Sequence, residues 1–173
     1  MTQLLLLGDS LIADFEWQPR MSSFEVENFG LPGATAGDLL DMLADIKEQT
    51  DVVDVIMVMI GTNDLLTDNY KFIHTLKDIV IQLRKNYPLA EILVSSLFPM
   101  NLPHFPDNTI PSFNTHIEAI AAQTGCCFLD THAKFLKSDA TIFQKDGVHI
   151  TDAAYEIWAH TLLEHIAFLV END

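Results

Sequence analysis

Acyl transfer to water needs a hydroxyl nucleophile, a base to take its proton, and donors for the oxyanion. This chain offers each of these at a break in its apolar pattern. Ser10 stands in Gly8-Asp9-Ser10-Leu11, directly after an apolar run. A helix starting there exposes the hydroxyl and points backbone N–H groups toward an anion. His149 is the natural base, because imidazole titrates near neutrality. Asp146 lies three residues earlier, in Asp146-Gly147-Val148-His149. A local turn lets its carboxylate accept Nδ1–H and leaves Nε2 for Ser10. Three groups are suited to the oxyanion: the Ser10 N–H, the Gly33 N–H with no side chain in the way, and the Asn63 amide. Gly33 closes Asn28-Phe29-Gly30-Leu31-Pro32-Gly33, and Asn63 sits in Gly61-Thr62-Asn63-Asp64. Asp9 and Asp64 read as supporting residues that brace their turns. Asn28 reads as an anchor for the segment that presents Gly33.

These residues must be brought together by the elements around them. Leu4–Leu7 ends at Gly8 as a buried strand would, and Phe24–Phe29 alternates like a less buried one. Thr35 is placed to cap a helix carrying Leu39, Leu40, Leu43 and Ile46. Val52–Ile60 reads as a central strand stopping at Gly61. A helix is expected over 68–86, a strand over Ile92–Ser96, a helix from Ser112, and a short strand over Cys127–Leu129. The last helix starts near Thr151. Long loops are expected over 97–111 and 130–149. In the first of these, Phe98, Met100, Leu102 and Phe105 are candidates either to line a substrate pocket or to cover the sheet edge. Alternating strands and helices predict a parallel sheet with helices on both faces, with function gathered at the carboxyl ends of the strands. The 173 residues fit one domain.

The four segments resemble, in order, the four signature blocks of the SGNH hydrolases, also called GDSL lipases/esterases. Gly8-Asp9-Ser10, Gly33, Gly61-Thr62-Asn63-Asp64 and Asp146-x-x-His149 carry the likeness, which spans residues 8 to 149. The resemblance implies an α/β fold: a three-layer αβα flavodoxin-like sandwich with a five-stranded parallel sheet. It implies a Ser10–Asp146–His149 triad and an oxyanion hole of Ser10, Gly33 and Asn63. It also implies a small-molecule ester as substrate and no cofactor. Short-chain acyl or acetyl esters are favoured, with thioesters and longer-chain lysophospholipids as alternatives. A reading of another class is a catalytically silent flavodoxin-like binding module.

Composition narrows the partners. With 9 Lys+Arg against 25 Asp+Glu, a net charge of −16 repels phosphate backbones and anionic lipid surfaces. The apolar run over 52–60 is too short to span a bilayer. The N-terminus lacks the basic and long apolar regions of a secretory leader. Adjacent Cys126 and Cys127 are poorly placed for a disulfide, so a reducing, cytoplasmic setting is expected. None of the other histidines makes a zinc spacing, and no Walker or Rossmann glycine pattern occurs, so no metal or nucleotide site is expected.

Overall fold

The computed structural model describes residues 1–171. Its centre is a five-stranded, all-parallel sheet in the order β2-β1-β3-β4-β5. The strands are β1 (Thr2–Gly8), β2 (Phe24–Gly30), β3 (Val55–Met59), β4 (Glu91–Ser95) and β5 (Cys127–Leu129). The three inner strands are continuous Val, Ile, Leu and Met runs because both of their faces are covered. Edge strand β2 keeps the alternation seen in its sequence, with Glu25 exposed.

On one face α2 (Ala36–Gln49), α4 (Phe72–Asn86) and α5 (Thr109–Gln123) lie side by side. The other layer holds α6 (Thr131–Lys137) and the long α7 (Asp152–Glu171). The short α1 (Ser10–Ala13) joins it, and Trp17 in the segment that follows meets the Trp158 ring of α7 edge-on at 4.9 Å. The result is the expected three-layer sandwich. Among the described residues, no helix is long and apolar enough to cross a membrane.

Thr35 caps α2 as its sequence suggests. Its hydroxyl accepts from Asp38 N–H while the Asp38 carboxylate accepts from Thr35 N–H, a reciprocal capping box. Elsewhere the boundaries differ, each for a local reason. The central strand is shorter than the apolar run over 52–60, because Val52 is exposed and Val53 buries without pairing. The helix expected over 68–86 begins only at Phe72, as α4, and a separate short helix α3 (Thr62–Leu66) precedes it. Asp68 takes a left-handed conformation, φ 57°, and Asn69 N–H turns back to Asp64 O. Helix α5 starts at Thr109, ahead of Ser112, with Pro111 inside its first turn. The missing N–H costs nothing there. The loop expected over 130–149 contains α6, started by Asp130 accepting from Ala133 N–H at 3.0 Å.

Candidate active site

Strand order brings the sequence-predicted residues to one end of the sheet. The turns after β2, β1 and β3 are neighbours there, and they carry Gly33, Ser10 and Asn63 respectively. The order reverses between β1 and β3, which is where open α/β sheets form a crevice.

Ser10 is the first residue of α1, and Asp9 is its N-cap. Asp9 Oδ1 accepts from Leu11 N–H at 2.9 Å, which fixes the turn that presents the hydroxyl. From the far side, Tyr155 of α7 donates its OH to Leu11 O at 2.8 Å. Asn28 ties the end of β2 to this turn, donating to Ile12 O and accepting from Gly30 N–H. Its anchoring is therefore to α1 and to its own strand.

Ser10 Oγ lies 3.2 Å from His149 Nε2, although the residues are 139 positions apart. His149 Nδ1 lies 2.5 Å from Asp146 Oδ2. The other Asp146 oxygen accepts from the N–H groups of Val148 and His149, both at 2.9 Å. These bonds hold the Asp146 carboxyl below its usual range, with the His149 contact the largest cause. The carboxylate can accept only, so the Nδ1 contact fits a proton on Nδ1, with Nε2 facing the Ser10 hydroxyl. Its loop is clamped at both ends. Phe143 bridges Ile150, Gln144 N–H donates to His149 O, and Thr151 N–H donates to Ile142 O. Both side chains of the pair are half-exposed, which leaves room for a reactant.

Gly33 has a φ of 80°, a conformation L side chains rarely adopt, and a side chain there would meet open space. Its N–H has no protein acceptor among the described residues. Asn63 donates one amide N–H to Ala34 O at 2.9 Å, which orients the amide and leaves the second N–H uncommitted. Asn63 thereby ties its turn to the one holding Gly33. Preceding it, Gly61 has a φ of 126°, and a Cβ there would stand 2.4 Å from the Phe72 ring. No other residue type fits between β3 and α4. Asp64 is buried and braces two segments. It accepts from Ala36 N–H at the start of α2 and from the Asn69 amide, both at 2.9 Å. Burial raises its carboxyl above the ordinary value against those bonds.

The segment after β4 packs partly into the core and partly around a cavity. Phe98 and Met100 are buried, and Phe98 packs on Phe135 and Trp158. Met100, Leu102 and Phe105 line a cavity of about 280 Å³ against α6, with His132 and Leu136 opposite. Leu102 also reaches the Asp146–His149 loop at Gly147. Asn114 of α5 pins the segment's start, accepting from Leu97 N–H at 2.7 Å and donating to Leu97 O at 3.0 Å. Among the described residues, no cluster of His, Cys, Asp or Glu has the geometry to hold a metal ion. Cys126 and Cys127 are free thiols, half-buried at the start of β5.

The roles of Tyr155 and Asn114 have no local signal in the sequence. Tyr155 acts on a residue 144 positions away, and neither neighbour in the chain betrays it.

Residues 6–157 match the model of the GDSL-like Lipase/Acylhydrolase family. The chain belongs to that family. It is an acylhydrolase of the GDSL/SGNH type. Over 178 aligned positions it is 27% identical to the platelet-activating factor acetylhydrolase IB subunit alpha2 of Gallus gallus, covering 98% of this chain and 78% of that one. Among solved structures, TesA superposes with a TM-score of 0.79 at 20% identity, covering 94% of this chain and 97% of TesA. The acetylxylan esterase Axe2 of Geobacillus stearothermophilus also gives 0.79, at 23% identity, covering 95% of this chain and 94% of Axe2.

Proposed function

We propose that this acylhydrolase cleaves short-chain carboxylic esters, acetyl esters first among them, through an acyl-Ser10 intermediate. The reading is carried by the continuous hydrogen-bond path from Ser10 Oγ through His149 to Asp146, at 3.2 and 2.5 Å. Ser10 Oγ attacks the ester carbonyl carbon as His149 Nε2 takes its proton. Asp146 holds the tautomer and supports the imidazolium that forms. The carbonyl oxygen becomes an oxyanion facing the N–H groups of Ser10 and Gly33 and the free amide N–H of Asn63. Collapse expels the alcohol, which leaves with the proton from His149. Water then gives a proton to His149 and attacks the acyl carbon. A second collapse releases the acid and returns the proton to Ser10. No oxidant, reductant or cofactor is needed to balance these steps.

Two relatives support the acetyl preference, since one is an acetylhydrolase subunit and the other an acetylxylan esterase. Axe2 variants described as catalytic mutants replace a serine, an aspartate and a histidine, the last two three positions apart in the chain. Asp146 and His149 have the same spacing. The cavity beside Leu102 and Phe105 would take the acyl or alcohol arm of the ester. The chain's acidity leaves neutral esters as the expected substrates, with nucleic acid and anionic membranes disfavoured as partners.

The test is hydrolysis of p-nitrophenyl acetate by the wild type, Ser10→Ala and His149→Ala. Both variants should lose nearly all turnover while retaining the fold. Full activity in Ser10→Ala would remove the mechanism. A series of p-nitrophenyl esters from acetate to palmitate tests the acyl preference, with kcat/KM expected to fall as the chain lengthens.

A further inference from the structure

Positive charge is scarce on this chain and unevenly placed. Of its 9 Lys+Arg side chains, Arg20, Lys47 and Lys134 each pair with a carboxylate. Three others, Lys77, Arg84 and Lys85, line a single groove between α4 and α5, together with Ile81, Gln123 and Thr124. The groove has a volume of about 510 Å³. Among the described residues, none of these three cations has a carboxylate within ion-pair distance, although the chain carries 25 Asp+Glu. Asp78, beside Lys77 in the chain, and Glu91, at the start of β4, pair with none of them. The groove lies toward the end of α4, beside the starts of β4 and β5, and so away from the end of the sheet that carries Ser10.

Helical spacing sets its layout. Lys77, Ile81, Arg84 and Lys85 stand at i, i+4, i+7 and i+8 and share one face of α4. Lys77 and Arg84 are about 10 Å apart along the axis, with Ile81 between them. Arg84 is fixed in place: its guanidinium donates to Ala90 O at 2.7 Å and to Gly125 O at 2.8 Å. Both acceptors are neutral, so the position is set while the charge stays uncompensated. Lys77 reaches across the groove and donates to Gln123 Oε1 at 3.4 Å. Carbonyls at the end of α5 would repel an anion, but Ile120 O and Ala121 O are already engaged by the Thr124 N–H and hydroxyl.

We propose that this groove binds an elongated organic dianion, with one anionic group at Lys77, the other at Arg84 and Lys85, and an apolar spacer lying on Ile81. The two anionic groups would stand about 10 Å apart, as the helix rise between their partners requires. A volume of about 510 Å³ is in the range of small-molecule sites. The net charge of −16 does not prevent binding. At about 0.1 M salt the field of distant carboxylates fades over roughly 10 Å, while the groove's own cations act at contact. The site stands apart from hydrolysis at Ser10 and does not rest on that mechanism.

The experiment is an amide-resolved NMR titration of the full chain at about 0.1 M salt. The probe is azelate, a nine-carbon dicarboxylate whose extended length matches the spacing; nonanoate has the same chain with one charge. Azelate should give saturable shifts at the amides of Ile81, Gln123 and Thr124, and nonanoate should bind more weakly. Lys77→Gln and Lys85→Gln should each weaken azelate roughly two- to fivefold, as loss of an exposed ion pair does, and Lys77→Arg should keep the affinity. Both lysines are exposed, so the variants should melt with the wild type, and Arg84 is left as the clamp it is. Shifts that do not saturate, equal affinity for azelate and nonanoate, or undiminished affinity in the Lys77→Gln/Lys85→Gln double variant would each overturn the inference. Binding of the capped peptide Glu-Ala-Leu-Glu where azelate fails would overturn it too, in favour of a protein partner.

Discussion

Asp9 makes the fold itself pH-sensitive in a direction opposite to most carboxylates. Its pKa rises from 3.8 to about 6 on folding, chiefly through burial. The folded chain then binds this proton more tightly than the unfolded chain does. The group accordingly opposes folding above pH 6. That penalty is relieved as pH falls from about 6 toward 4, with little further change below the unfolded value. Between pH 7.5 and 4.5, linkage gives a relief of about 2 kcal/mol. Asp9→Asn has no proton to take up, so it receives none of it. Urea unfolding of both proteins at the two pH values, at constant ionic strength, isolates the difference. The wild type should gain about 2 kcal/mol relative to Asp9→Asn on acidification, whatever the amide itself does to packing. Every other titrating group is common to both proteins and cancels to first order. Stability curves that run parallel between pH 7.5 and 4.5 would rule out a raised Asp9 pKa and mean that water or another donor solvates its second oxygen, Oδ2.

The remaining predictions concern the site's donors and supports. Asn63→Ala should lower kcat by on the order of 10²–10³ with little change in KM, because its free N–H matters most when the oxyanion forms; steady-state kinetics on p-nitrophenyl acetate read this directly. Asp146→Asn should cost roughly 10²–10⁴ in kcat by favouring the wrong His149 tautomer, while the melting temperature moves little, since the pair is half-exposed. Asn114→Ala removes two buried bonds to Leu97 and should destabilise by about 2–4 kcal/mol. Calorimetry should then show a melting temperature lower by roughly 5–15 °C.

Much of this molecule is legible in its sequence because its strands and its site obey local rules. Leu4–Leu7 and the Val, Ile and Met run before Gly61 are buried strands whose apolar continuity has only one structural meaning at that length. Thr35 and Asp38 announce the start of α2 by a spacing of three. The motif residues are legible for a related reason. Each ends a strand or a clamped loop, where Gly, Asn and Asp interrupt the apolar pattern. Helix α6 escaped notice because its seven residues carry one buried large apolar side chain, Phe135, and so have no periodicity to detect. The later start of α4, at Phe72 and not Asp68, depends on Asn69 turning back to Asp64 five residues earlier, a local closure that the helical apolar spacing does not signal. The supports of the site depend instead on long-range packing. Tyr155 finds Leu11 O only because α7 lies over α1, and Asn114 finds Leu97 only because the segment after β4 passes beside α5. Residue type gives the chemistry that a position can do, but packing decides which long-range partner it meets.

The account stands on an acyl group being carried by Ser10. Intact-mass spectrometry of the protein quenched in acid during p-nitrophenyl acetate turnover measures that directly, with peptide mapping to locate the adduct. One acetyl group is expected on the peptide containing Ser10, accumulating further in His149→Ala if deacylation is slowed more than acylation, and absent from Ser10→Ala. An acetyl group on a different residue with Ser10 unmodified, or undiminished turnover by Ser10→Ala, would contradict it.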